Sequence, residues 1–158
     1  MPVVAIAFSP LPGHVRTARL LATTLARRKG LDEDVLDEVR FAVGEACTRA
    51  VEMHAQHGVT DPVRMEIDEQ PGRLQVDVVD AAPPQEDMPD ASLGSGAYDP
   101  DALAAPVPRQ ADGEDHQEFL PAGFGLAVVA GYVDDVEVGP AQPGSGTRVR
   151  MVWTLPPG

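Results

Sequence analysis

The longest regular pattern in the chain is an apolar stripe at helical spacing between Asp32 and Gly58. Its members are Val35, Val39, Ala42, Ala46, Ala50 and Met53. Asp32 is a good N-cap, acidic residues follow it where the helix dipole favours them, and Gly58 supplies a stop. The pattern predicts a helix that runs to about Gln56 and buries one face against a second layer.

The remaining regular segments supply that layer. Alternation typical of strands occurs at 3–8, 63–69, 73–79, 132–138 and 147–155, and helical spacing at 14–29 and, briefly, at 125–130. The order is β-α-α-β-β-loop-α-β-β, with most strands adjacent along the chain. This order predicts an α+β fold, a two-layer α/β sandwich with a mainly antiparallel sheet and helices on one face.

Length and composition restrict the class of protein. A chain of 158 residues fits a single domain over 1–158 and needs no disulfide, and its lone Cys47 could not form one internally. The net charge of -13 argues against a nucleic-acid surface. No apolar stretch is long enough for a membrane span, and the N-terminus is a poor signal peptide, so a cytoplasmic location is expected.

Charge is unevenly distributed along the chain. The predicted helix 14–29 has no acidic residue and carries His14, Arg16, Arg19, Arg27, Arg28 and Lys29. Such a helix could face an acidic partner or could simply be solvated, and both interpretations stay open. The segment 81–122 has nine acidic residues, one basic residue and seven prolines. It is predicted to be a lid or a disordered insert.

Three short blocks carry a family resemblance. They are FAVGEACTRAVEMHA at 41–55, VDVVD at 76–80, and the Gly-Phe-Gly-Leu at 123–126 that is followed at a distance by Gly146-Thr147. In this order they resemble the anti-sigma-factor serine-kinase branch of the GHKL ATPases (HATPase_c domains), which have the Bergerat-type sandwich.

The resemblance implies roles for five residues. Glu45 would be the catalytic base or water-orienting residue, and Asp80 would receive the adenine amino group. Gly123 and Gly125 would bring backbone N–H groups to phosphate, and Thr147 would lie near the adenine edge. Simpler explanations remain: Asp80 could be a turn residue that caps its strand, and the glycines could only open a helix.

Position 49 departs from the family, which has a magnesium-binding asparagine there. A guanidinium has five donors and no acceptor, so Arg49 cannot ligate magnesium. The Ala-Ala-Pro-Pro at 81–84 also replaces the family's glycines. ATP or ADP remains a candidate ligand, magnesium is expected to bind weakly or not at all, and no metal site is predicted. We expect Arg49 to enter the former nucleotide pocket and neutralise Glu45; a surface ion pair and direct phosphate binding are the alternatives.

The resemblance implies an anti-sigma factor that binds a sigma factor and a STAS-type anti-anti-sigma protein, with kinase activity lost or weakened. Arg16 and Arg19 would contribute to the partner surface, and a homodimer is implied. The alternative is an active ATP-dependent serine kinase, so enzymatic activity is left open. A sensory domain that acts through segment 81–122 is a third hypothesis.

Overall fold

A computed structural model describes residues 3–83, 129, 131–142 and 145–155. The elements are β1 Val3–Phe8, α1 Pro12–Arg28, α2 Glu33–His57, β2 Val63–Gln70, β3 Arg73–Asp80, β4 Asp135–Gln142 and β5 Ser145–Thr154. The acidic segment predicted as a lid and the short helix predicted at 125–130 lie almost entirely outside the described residues.

The five strands form one antiparallel sheet in the order β1-β2-β3-β5-β4. The predicted hairpin is confirmed: β2 and β3 pair through the turn at 70–73, where Gly72 has a positive φ of 76°. β3 is the middle strand, and its last residue, Asp80, lies opposite Thr147 of β5. The end of β3 is therefore fixed on a second strand.

The core lies between the sheet and the two helices. Alternate residues of β2, β3 and β5 are buried, among them Ile67, Val76, Met151 and Trp153, and they cluster with the apolar stripe of α2. The predicted α+β sandwich with a mainly antiparallel sheet is confirmed. Neither described helix has an apolar stretch long enough to cross a bilayer.

The ends of the helices follow from local chemistry. α1 begins at Pro12, two residues before the predicted start, because proline suits the first helical positions, where an N–H has no partner. α2 ends at Gly58, which has the left-handed φ of 63° and donates its N–H to the His54 carbonyl. Asp32 occupies the N-cap position of α2, although its side chain makes no capping hydrogen bond.

The basic end of α1 is attached to the sheet. Glu69 of β2 is only 4% exposed, and its carboxylate accepts two hydrogen bonds from Arg28, at 3.0 and 3.2 Å. Lys29 adds an ion pair at 3.5 Å. Part of the positive charge of the helix therefore neutralises a buried carboxylate, although the Arg28 side chain itself is 64% exposed.

β4 has different bounds from the strand that was predicted at 132–138. β4 begins at Asp135 and includes Gly139 and Pro140, which sequence reasoning assigned to a loop. β4 is an edge strand, and a proline is tolerated there because its missing N–H need not pair with a further strand. Tyr132 consequently lies in the turn before the strand.

Gly146 of β5 provides a test of how closely β5 packs against the end of β3. Its φ is 71°, and a Cβ at this position would overlap the backbone carbonyl oxygen of Asp80. We expect Gly146→Ala to lower the free energy of unfolding by about 1–3 kcal/mol, since it adds both strain and a clash. Gly139→Ala is the matched control because a Cβ there meets nothing. Equal urea-unfolding midpoints for the two variants would contradict this account.

Candidate functional site

A buried ion pair joins the middle of α2 to the end of β3. The Arg49 Nη1 atom donates to the Asp80 Oδ2 atom at 2.9 Å. The side chains are 5% and 2% exposed, so both charges are removed from water. Arg49 is thus bonded to the residue that the family resemblance assigns to adenine recognition.

The turn after Asp80 is fixed by three further hydrogen bonds. The second carboxylate oxygen of Asp80 accepts the Ala82 N–H at 3.0 Å. The Ala82 carbonyl accepts the N–H of Gly146 at 3.1 Å, and the Ala81 N–H donates to the His54 Nε2 atom at 2.8 Å. Asp80 is therefore a turn residue, as its simpler explanation had it, and also the partner of Arg49.

His54 is a structural residue that sequence reasoning missed. It is fully buried, and its Nδ1 atom lies 3.0 Å from the Asp61 carbonyl oxygen. A carbonyl can only accept, so Nδ1 carries the proton and Nε2 is free to accept from Ala81. The sequence signal that could have revealed its burial is its position four residues after the buried Ala50, because this position continues the apolar stripe of α2.

Glu45 is half-buried on α2 and feels the charge of Arg19 on α1. Burial raises the pKa of its carboxyl, and the positive charge of Arg19 partly opposes that rise. Arg19 packs across Gly44, where a Cβ would lie 2.6 Å from its Cδ atom. We expected Arg49 to neutralise Glu45; the structure brings Arg49 to Asp80 and Arg19 to Glu45. Arg19 is therefore half-buried between the helices, and its contribution to the partner surface stays a prediction.

Of the other predicted site residues, some lie within the described part of the chain and some lie outside it. Thr147 is buried beside Asp80, as expected of the adenine end, and Arg16 is exposed on α1. Gly123 and Gly125 lie outside the described residues.

Cys47 is buried, and burial raises the pKa of its thiol to about 12, with the charge of Arg19 acting in the opposite direction. This environment is that of a structural thiol.

The described residues do not fit a magnesium–nucleotide complex. Arg49 offers no acceptor to a cation, and an adenine amino group would compete with Arg49 and with the Ala82 N–H for the Asp80 carboxylate. Within the described part of the chain, no group of three His, Cys, Asp or Glu residues could hold a metal ion. The ion pair thus joins the two residues to which the resemblance assigns the metal position and adenine recognition.

The ion pair makes a stability prediction. Replacing Arg49 with methionine leaves the Asp80 charge buried without this partner, which typically costs about 3–5 kcal/mol of unfolding free energy. The double variant Arg49→Met with Asp80→Asn removes both charges, and we expect it to recover a large part of that loss. Urea unfolding of the four proteins in the cycle measures the coupling. Strictly additive effects would show that the pair contributes no coupling energy.

Comparison with known proteins gives the same fold. The histidine kinase-like ATPase domain family matches residues 8–153. The serine-protein kinase RsbW of Bacillus licheniformis is 29% identical over 144 residues, covering 91% of this chain and 80% of that protein. RsbW of Bacillus velezensis is 30% identical over 148 residues, with the same coverage.

A solved structure is similar as well. It contains the RsbU and RsbW domains of Rv1364c from Mycobacterium tuberculosis, with a TM-score of 0.62 at 15% identity. The alignment covers 98% of this chain and 33% of that longer one, so it supports the fold alone. The family match and the two RsbW relatives establish that this chain belongs to the histidine kinase-like ATPase domain family, in its anti-sigma-factor serine-kinase-like branch.

Proposed function

We propose that this chain is an anti-sigma factor that binds a sigma factor and a STAS-type anti-anti-sigma protein, and that its kinase activity is lost or weakened. The single observation that carries the proposal is the buried ion pair between Arg49 and Asp80. Similarity to RsbW supplies the partner-switching context.

The chemistry of phosphoryl transfer explains why this ion pair matters. Transfer depends on a metal that neutralises the phosphates and on exact placement of the nucleotide. Arg49 stands where the family has its metal-binding asparagine, and it takes up an oxygen of the residue assigned to adenine. Nucleotide binding would have to break a buried ion pair, which is costly because each charge would lose its partner.

Partner binding needs none of these groups. Arg16 and Leu20 are exposed on α1, and the Leu20 side chain is 66% exposed. An exposed arginine beside an exposed leucine suits a protein partner that has an acidic rim and an apolar contact. We assign the partner surface to this part of α1, with Arg19 supporting it from beneath.

The alternative function is an active serine kinase. The raised pKa of the half-exposed Glu45 favours it, because a carboxylate with a raised pKa is a better general base. The curated relatives are also named serine-protein kinases. The two functions differ in one measurable activity, phosphate transfer to the serine of a STAS-domain protein.

An assay with labelled ATP and magnesium discriminates the two. The STAS-domain candidates of the source organism are purified and incubated with this protein, and Bacillus licheniformis RsbW with its own antagonist is the positive control. We expect no transfer by this protein, together with no magnesium-dependent heat on titration with ATP. Transfer that is abolished by Glu45→Gln would overturn the proposal and establish the kinase.

A sigma-factor binding assay tests the anti-sigma part of the proposal. We expect Arg16→Ala to weaken binding by roughly two- to tenfold, since it removes an exposed charge at the edge of an interface. Arg27→Ala is the matched control: this exposed arginine of the same helix lies 3.9 Å from Glu33. If no sigma factor binds to the unmodified protein at micromolar concentration, the anti-sigma function is wrong.

A further inference from the structure

Two exposed aromatic rings contact each other on a different face of the protein. Phe41 of α2 is 37% exposed, Tyr132 is 46% exposed, and their ring centroids are 5.0 Å apart with the planes tilted by 54°. The chain has only seven residues of the types Phe, Tyr and Trp, so the placement of two of them together at the surface needs an explanation. Exposed aromatic pairs are typical of protein-binding surfaces.

The pair is held rigidly. The Tyr132 carbonyl accepts a hydrogen bond from the indole of the buried Trp153 at 3.3 Å, and the Tyr132 N–H donates to the Val129 carbonyl. Phe41 is fixed on the long helix α2. A rigid surface loses little conformational entropy when a partner binds, which favours affinity.

Two carboxylates lie close to the rings along the chain: Glu38 is three residues before Phe41, and Asp134 is two residues after Tyr132. Glu38 lies one helical turn before Phe41 and so on the same face of α2. Burial raises the pKa of the Glu38 carboxyl, and the negative charges of Asp134 and Asp34 raise it further. Asp134 is fixed by accepting the Thr154 N–H at 2.6 Å. The negative charges of Asp134 and Asp34 therefore repel that of Glu38.

No cation of the described residues neutralises this group. The nearby Arg40 is paired with Asp37, and no ion pair within the described ranges includes Glu38, Asp134 or Asp34. A binding partner with a positive charge would relieve the repulsion. The net charge of -13 would also attract such a partner from a distance.

Arginine fits this surface better than lysine does. Its planar guanidinium can stack on an aromatic ring while its N–H groups donate to carboxylates at the ring edge. Lysine is a more strongly hydrated point charge that has no planar face. We propose that Phe41, Tyr132, Glu38 and Asp134 form a docking surface for an arginine side chain of a protein partner.

This surface is independent of the proposed anti-sigma function and can be tested without a known partner. N-acetyl-arginine-N-methylamide is titrated into the isotope-labelled protein, and the NMR signals of Phe41, Tyr132 and Glu38 are followed. We expect saturable shifts confined to this surface, a weaker response to the lysine analogue, and none to the uncharged citrulline analogue. Equal responses to arginine and citrulline, or shifts spread over the whole protein, would overturn the proposal.

Single substitutions measure how much each residue of this surface contributes to arginine binding. We expect Phe41→Ala to weaken arginine binding by about two- to fivefold, the size of an exposed cation–π contact. Glu38→Gln should weaken it while leaving the shape unchanged, and Tyr132→Phe should retain binding because the ring remains. Leu11→Ala, which alters an exposed apolar residue just before α1, is the matched control and should have no effect on arginine binding. Unchanged binding in both Phe41→Ala and Glu38→Gln would refute the assignment.

Discussion

The ion pair between Arg49 and Asp80 connects α2 to the middle strand of the sheet. Both charges are buried, so the free energy that each lost on leaving water is recovered only while the pair is intact. The position of the turn after β3 therefore depends on Arg49. The two residues that make this connection are also those to which the family resemblance assigns the metal position and adenine recognition, and this is the basis of the proposed loss of kinase activity.

The loss of glycines after Asp80 becomes understandable on this basis. The turn at 80–82 is fixed by α2 through Arg49 and His54 and by β5 through the Gly146 N–H. The close approach is provided by Gly146 on the neighbouring strand, where a side chain would strike the Asp80 carbonyl. The alanines can therefore occupy the turn without glycine's conformational freedom. The family has flexible glycines in the turn after β3, where a ligand would need them. In this chain the glycine is instead Gly146 on β5, which leaves space for the Asp80 carbonyl.

Local chemistry allowed much of the fold to be predicted from the sequence. Periodicity and end signals predicted α2, and alternation around the turn residues predicted the β2–β3 hairpin. The partner of Arg49 lies 31 residues away, and Ala81 lies 27 residues from His54. Such contacts are determined by the packing of α2 on the sheet, which no local pattern reveals. Motif position led us to expect Arg49 beside Glu45, whereas the tertiary geometry pairs it with Asp80.

The charges of α1 separate structural from functional roles. Arg28 is bonded to the buried Glu69 although it is itself exposed, Arg19 packs on α2 with its charge near Glu45, and Arg16 is exposed on α1. Under the proposed function, the partner surface is thus a small part of the basic helix. If the closed pocket hydrolyses no nucleotide, no chemical energy drives the release of the sigma factor. Release would then follow the concentrations and affinities of the competing partners, because a ligand shifts an equilibrium only by its differential affinity.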